Sequence, residues 1–190
     1  MQGFDLYICY NNKKEMRSMK EIIAGHIQDE RVQSLTDHLD GTMRLAEGFG
    51  AGMGLGAEAG LLGAIHDEGK DTAAFQDYIH GRKHRRVDHS TAGAKSFFEN
   101  GHTGYHAGIP DLGSKVDCAG TSTLNGRMKK CIPSIRHPQR YLIDSTCLDV
   151  DHLNTFIEKR NTLDVMILTR MLFSCLVDAD FLDTEAFMNN

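Results

Sequence analysis

The chain has 190 residues and a formal net charge of −5 at pH 7, with 41% hydrophobic and 25% charged residues. This length predicts one sizeable domain with a packed core, and the acidic balance argues against a protein that coats nucleic acid through its overall charge. Five scattered cysteines without a CxxC pair argue against a disulfide framework or a cysteine-type zinc site, so we expect reduced thiols. We expect a cytoplasmic protein, since the sequence shows neither a signal-like N-terminus nor a stretch of about 18 apolar residues.

Residues 1–18 are predicted to be a loosely attached segment, with one domain over residues 19–190. A helical pattern begins near Ser34, and either Ser34 or Thr36 can cap it. The glycine-rich stretch that follows, GFGAGMGLGAEAG over residues 48–60, predicts a flexible connection between two helices. A dinucleotide-binding loop would need a preceding strand, and a helical segment precedes this stretch instead.

The next elements are predicted as helices over residues 58–68, 71–80 and 90–99, with the basic loop GRKHRRVD over residues 81–88 between the last two. All three prolines fall within residues 107–138, which predicts a long irregular loop with a short helix near residues 124–131. A strong helical pattern covers residues 151–187, and no segment shows convincing strand alternation. The predicted fold class is therefore all-α.

The chemistry centres on the adjacent pair His66 and Asp67. On a helix the two side chains are about 100° apart, so both can reach one point beside the helix end. Imidazole together with carboxylate is a ligand mixture that borderline divalent metals accept. Each residue also has a structural alternative, such as a hydrogen-bonded core histidine or an aspartate that caps a helix. The candidates for the remaining ligands are His38, His89, His106, Asp178 and Asp180.

Seven motifs taken together resemble the HD phosphohydrolase superfamily. The closer resemblance is to the HD nuclease domain of the CRISPR-associated helicase–nuclease of type I systems. It covers roughly residues 22–187 and implies an HD-domain helical bundle. The motifs are QSLTDHL (33–39), HDEGK (66–70), FQDYI (75–79), VDHSTAGA (87–94), YHAGIPD (105–111), LNGRMKK (124–130) and LFSCLVDADFLDTE (172–185).

The resemblance implies a metal-dependent nuclease that cleaves phosphodiester bonds of single-stranded DNA in antiviral defence. Asp67 would be shared by two ions, and the superfamily pattern of Ala-Asp followed by an apolar residue favours Asp180 over Asp178. Mixed histidine and aspartate ligation suits Mn, Co, Ni or Fe better than Mg. One or two ions are expected. His38, His66, Asp67 and the helical aspartate would hold the first, and Asp67, His89 and His106 the second.

Lys70 lies one turn past His66, where its ammonium group could neutralise a phosphate oxygen, so Asp67 and Lys70 are the predicted catalytic residues. The basic loop is predicted to follow a DNA backbone, although charge runs are as often simply solvated. The predicted substrate-binding residues are Lys70, Arg82, Arg85, Arg86 and Ser90, with Lys129, Lys130, Arg136 and Arg140 as an extension.

Two alternatives stay open. The first is an HD phosphohydrolase of nucleotides or cyclic nucleotides with the same first ligand set, which would not need the basic loop. The second is a weakly active or inactive HD docking subunit. It is favoured by Tyr105, where the family often has a second histidine, and by the short stretch over residues 95–104. The chain lacks a GxxxxGK[ST] phosphate loop, so a separate CRISPR-associated helicase and a surveillance complex are the expected partners.

Overall fold

The structure is a computed structural model that describes residues 22–91, 113–120, 122–131, 134–137 and 150–189. The predictions for residues 1–18, for most of the helix over residues 90–99, and for His106 and Arg140 lie outside the described residues. So do Tyr105 and the stretch over residues 95–104. None of the helices in the described ranges has the length and hydropathy needed to cross a membrane.

The fold is mostly helical, as predicted, but it begins with an antiparallel hairpin that the sequence patterns did not indicate. Strand β1 is Ala24–Gln28 and strand β2 is Arg31–Ser34, with His26 opposite Gln33 and Ile27 opposite Val32. Asp29 makes the turn with a φ of 54°, a conformation that aspartate tolerates better than most residues. The strands are too short and too polar for clear alternation. The expectation that the chain has no strand was therefore wrong at this hairpin.

Helix α1, Leu35–Ala51, begins at the predicted cap. The Ser34 hydroxyl accepts a 3.0 Å hydrogen bond from the Asp37 main-chain nitrogen. The main-chain nitrogen of Leu35 also donates to the Ile23 carbonyl at 2.7 Å, which ties the helix start to the hairpin. The buried face of α1 includes Leu39, Met43 and His38, so this histidine points into the protein.

The glycine-rich stretch is mostly helical rather than a flexible connection. Helix α1 runs through it to Ala51, and helix α2, Gly56–Ile65, begins after four intervening residues. Here glycine serves close packing between the two helices. A Cβ atom at Gly50 would lie 2.6 Å from the Ala59 Cβ, and one at Gly63 would lie 2.8 Å from the Met43 Cα. The missing side chains let the two backbones approach each other.

The second helix ends at Ile65, before the predicted end at residue 68, and a 3-10 helix follows at Glu68–Asp71. The remaining helices are α3, Ala73–Ile79; α4, Leu124–Met128; α5, Val150–Glu158; and α6, Thr162–Asn189. The predicted helix over residues 151–187 is thus two helices. Helix α6 packs on α1 and α2 around a small apolar core of Ala46, Ala59, Cys175 and Ala179.

Candidate metal centre

A buried group of histidines and aspartates lies where α1, α6 and the end of α2 meet. The group could hold a metal ion: one ligand atom from each of four side chains lies within 4.8 Å of the others. Burying carboxylates costs free energy unless they are paired or bind a cation, so a cluster at this position requires a positive partner. The four residues are His26, His38, Asp67 and Asp180.

His38 is fully buried, and its two ring nitrogens face different partners. Nδ1 lies 2.7 Å from Asp183 Oδ2, while Nε2 lies 3.3 Å from Asp180 Oδ1 and 3.4 Å from Asp67 Oδ2. Within the described residues Nε2 meets neither carboxylate in hydrogen-bond geometry. A nitrogen and two oxygens that face one point in this way could serve as ligands of a shared cation. The contact of Nδ1 with a carboxylate is the usual way of orienting a metal-binding imidazole.

The ring of His66 is also oriented by a contact at Nδ1, which leaves Nε2 facing the cluster. Its Nδ1 lies 2.8 Å from the Gly63 carbonyl oxygen, to which the ring donates. This fixes Nε2 toward the cluster, 3.5 Å from Asp180 Oδ1 and 3.6 Å from Asp67 Oδ2. The structure therefore brings together four of the predicted ligands: His38, His66, Asp67 and Asp180.

Asp67 lies just past α2, with φ −113° and ψ 13°, so it has left the helical conformation assumed from the sequence. The residue is 1% exposed, and its two oxygens face different histidines. Oδ2 points at His38 and His66, whereas Oδ1 lies 3.5 Å from His89 Nε2. The predicted proximity of His89 to Asp67 is present, although His89 is not in the group of four.

The pKa values reflect the balance between burial and neighbouring charges. Burial lowers the pKa of His38, but three carboxylates, led by Asp180, outweigh it and raise this pKa to about 10. Burial raises the pKa of Asp180, but the nearby His38 and His66 hold it well below its usual range. Burial, followed by the charge of Lys70, lowers the pKa of His26 to about 4. Without a metal ion, Asp180 is thus an anion, His38 is protonated and His26 is neutral.

The sequence patterns missed two residues of this region. His26 comes from β1, and it could not be assigned without the hairpin. Asp183 holds His38 and also accepts a 2.8 Å hydrogen bond from Gln33 Nε2. The three-residue spacing of Asp180 and Asp183 places both on one face of α6, which is the signal that could have indicated this role. Gly41 leaves room for the carboxylate, because a Cβ atom there would overlap Asp183 Oδ1.

The two aspartate candidates of α6 differ in their surroundings. Asp178 is exposed and lies outside the group, while Asp180 faces His38 and His66. On a helix, residues two apart point to nearly opposite sides, so only one of them can face the cluster. The geometry favours Asp180, as did the resemblance.

Lys70 lies at the edge of the cluster rather than on a surface. Its side chain is 6% exposed, and Nζ lies 2.5 Å from Asp67 Oδ2 and 3.1 Å from His26 Nε2. The 3-10 helix, and not the predicted continuation of α2, directs it there. Each charge of this buried pair offsets part of the burial cost of the other, so removing either one alone would leave an uncompensated buried charge.

A cleft of about 400 Å³ lies beside His89 and carries three cationic side chains from two separate segments. Two of the predicted substrate-binding residues, Arg86 and Ser90, line it. Arg82 instead pairs with Asp77 at 2.9 Å, and Arg85 is exposed. The full lining is Arg86, Val87, Asp88, His89, Ser90, Thr91, Arg127 and Lys130.

The residues predicted to extend the basic surface make different contacts in the structure. Lys130 lines the cleft and pairs with Asp88 at 2.9 Å. Lys129 donates to the main-chain oxygens of Lys115 and Asp117, so it supports the loop before α4. Arg136 lies 3.4 Å from the buried Asp71. Only Lys130 of these three lines the cleft.

Comparison with known proteins gives no family for the chain. No protein-family profile matches it, and no curated protein is found as a relative.

Proposed function

We propose that the chain is a metal-dependent phosphodiester hydrolase, a single-stranded DNA nuclease of the HD type that acts in CRISPR antiviral defence. The observation that carries the proposal is the placement of Asp67. One of its oxygens faces His38 and His66, and the other faces His89. A buried carboxylate between imidazoles on two sides suits one ion or a pair of ions that share it.

The donor set fits a divalent transition metal. Two imidazoles and two carboxylates from His38, His66, Asp67 and Asp180 favour Mn, Co, Ni or Fe, whereas Mg prefers oxygen ligands and water. The buried Nε2 of His38 supports this fit, because it faces both carboxylates at 3.3 and 3.4 Å, and a cation bound between them would displace its proton. When bound, such an ion supplies a nucleophilic water at neutral pH and an electrophile for the phosphate.

The protein's own residues orient the ligands and neutralise charge. Asp183 and the Gly63 carbonyl fix the rings of His38 and His66. Lys70 places a positive charge beside Asp67, where it would meet a non-bridging phosphate oxygen and stabilise the charge that develops on it. No side-chain nucleophile is needed in this arrangement.

The three cationic side chains of the cleft beside His89 favour a polyanionic substrate rather than a single nucleotide. Arg86 comes from the loop before His89, whereas Arg127 and Lys130 come from α4 and its end. Cations on two segments can contact more than one phosphate of a flexible strand. The helicase and surveillance complex remain the proposed partners, and they rest on the resemblance alone.

The test is cleavage of circular single-stranded DNA by metal-stripped protein after addition of Mn²⁺, Co²⁺, Ni²⁺ or Mg²⁺. We expect cleavage with the transition metals and its loss in Asp67→Asn, which removes the charge but keeps the shape. Asp178→Ala is the matched control and should cleave normally. Duplex DNA and a cyclic nucleotide are run in parallel. Hydrolysis of the cyclic nucleotide alone would support the phosphohydrolase alternative, and no hydrolysis of any substrate would support the docking subunit.

A further inference from the structure

His26 and Lys70 form a contact that the proposed mechanism does not use. Lys70 Nζ lies 3.1 Å from His26 Nε2. An ammonium group has only donors, so Nε2 must accept and the proton of the neutral ring must be on Nδ1. Nε2 has one lone pair in the ring plane. Lys70 Nζ is nearer to that lone pair than the Thr184 hydroxyl, which lies 3.4 Å from Nε2. Nε2 can therefore accept from Lys70 or bind a metal ion, but it cannot do both.

The separation between His26 and Lys70 is set by the main chain and by one buried amide. Gln76, which is 4% exposed, accepts from the Ala24 main-chain nitrogen at 3.0 Å and donates to the Ala24 carbonyl at 2.9 Å. The same amide nitrogen donates to the Lys70 carbonyl at 3.0 Å. Gln76 thus joins β1, two residues before His26, to the 3-10 helix that carries Lys70. Buried hydrogen bonds of this kind fix relative positions well.

We propose that His26 is a positioning residue that holds the ammonium group of Lys70 at the edge of the metal centre, and that it is not itself a metal ligand. His66 then completes the ligand set with His38, Asp67 and Asp180, since its Nε2 already faces both carboxylates. This inference rests on the proposed function, because it assumes that an ion binds the group and that Lys70 meets a phosphate.

The need for such a residue follows from the flexibility of lysine. Its side chain has four rotatable bonds, and a buried ammonium group is attracted to the nearest anion. Asp67 Oδ2 is that anion, and it also faces His38 and His66. With His26 as a second acceptor, two N–H bonds are directed within the protein and the third is left for a phosphate oxygen. Without His26, the contact with Asp67 alone no longer fixes the direction of the other two N–H bonds.

The test uses cobalt-loaded protein and inorganic phosphate, so it does not depend on hydrolysis. The variants are His26→Leu, His26→Gln, Lys70→Met and the double variant His26→Leu/Lys70→Met. Glutamine keeps an acceptor near the position of Nε2, while leucine removes it. The visible absorption spectrum of Co²⁺ reports the number and kind of ligands, and phosphate titration reports the position of Lys70. Circular dichroism checks that each variant is folded.

We expect the same Co²⁺ spectrum in every protein. Phosphate should bind about tenfold more weakly in His26→Leu and in Lys70→Met, with no further loss in the double variant, because a charge-assisted hydrogen bond is worth roughly that factor. His26→Gln should recover most of the affinity. If His26→Leu does not fold, the Co²⁺ spectrum and phosphate affinity of His26→Gln decide the question.

Three results would overturn the inference. The first is a changed Co²⁺ spectrum in either His26 variant, which would make His26 a ligand. The second is wild-type phosphate affinity in His26→Leu, and the third is an additive loss in the double variant. Failure of the proposed function would look different: the wild-type protein would bind no Co²⁺, or would bind it and hydrolyse no phosphodiester.

Discussion

Replacing Gly63 by alanine is the sharpest test of how close packing between α1 and α2 positions the candidate metal centre. The added Cβ would lie 2.8 Å from three atoms of α1: the Met43 Cα, the Met43 main-chain nitrogen and the Thr42 carbonyl oxygen. Backbone atoms cannot rotate away, so the two helices must separate. His66 would move as well, because its ring donates to the Gly63 carbonyl.

The expected change in the free energy of unfolding is obtained by comparison with Gly48. This glycine lies on an exposed side of α1, with nothing within 4 Å of the position that a Cβ atom would take. Gly48→Ala should stabilise the protein by about 0.5–1 kcal/mol, since alanine is the better helix former. Gly63→Ala gains the same propensity but adds an overpacking cost of about 1–3 kcal/mol. The free energies of unfolding of the two variants should therefore differ by about 1–3 kcal/mol, a difference that isolates the packing cost.

The assay is urea unfolding followed by circular dichroism, with the wild-type protein and both variants measured in the absence of metal. Gly63→Ala should also bind Co²⁺ more weakly than Gly48→Ala, because the His66 ring is displaced. Equal stability of the two variants would refute the argument, since it would mean that α1 and α2 do not approach as closely as described.

Three further predictions concern the site. Asp180→Ala should weaken Co²⁺ binding at least about 100-fold, measured by competition with a chelator. Asp178→Ala should bind Co²⁺ as the wild type does, and equal effects of the two variants would contradict the assignment of Asp180. Asp183→Asn should weaken Co²⁺ binding by about 10–100-fold in the same titration, because it removes the charge that orients His38; unchanged binding would show that the orientation does not matter. Gln76→Leu leaves three buried polar groups without their partner, so it should lower the free energy of unfolding, measured by urea unfolding, by about 3 kcal/mol. A loss below about 1 kcal/mol would argue against the link between β1 and the 3-10 helix.

Local signals in the sequence were sufficient to predict the helices that have strong periodicity or a clear cap. Ser34 caps α1 as predicted, and the short helix before residue 131 is present as Leu124–Met128. The hairpin could not be predicted, because Ile27 and Val32 are the only β-branched residues along its paired strands. Its position depends on contacts with distant residues, such as Gln76, which local patterns do not reveal.

The glycines show a different limit of sequence reasoning. Gly50 and Gly63 look like flexible positions in the sequence, but they are close contacts in the folded chain. Whether a glycine bends the backbone or lets another backbone approach is decided by the element that packs against it. That information is tertiary, and local propensity carries none of it.

The proximity of the candidate ligands could be predicted, because the motifs and the geometry agree on it. His38, His66 and Asp180 come together as the resemblance implied, even though α2 ends before the pair His66–Asp67. His26 could not be predicted, since its approach to Lys70 depends on the hairpin. Of the predicted DNA-binding residues, Arg82 instead forms an ion pair with Asp77, because a charge run gives no information about which of its side chains find a local partner.

The most direct test of the central claim is a titration of metal-stripped protein with Co²⁺, in which occupancy is followed by visible absorption and hydrolysis of single-stranded DNA is followed in the same samples. We expect no hydrolysis without metal and a rate that rises in step with occupancy until one or two ions are bound. Hydrolysis by the metal-stripped protein, or full occupancy without hydrolysis, would contradict the claim that the buried histidine–aspartate group is the centre of a metal-dependent nuclease.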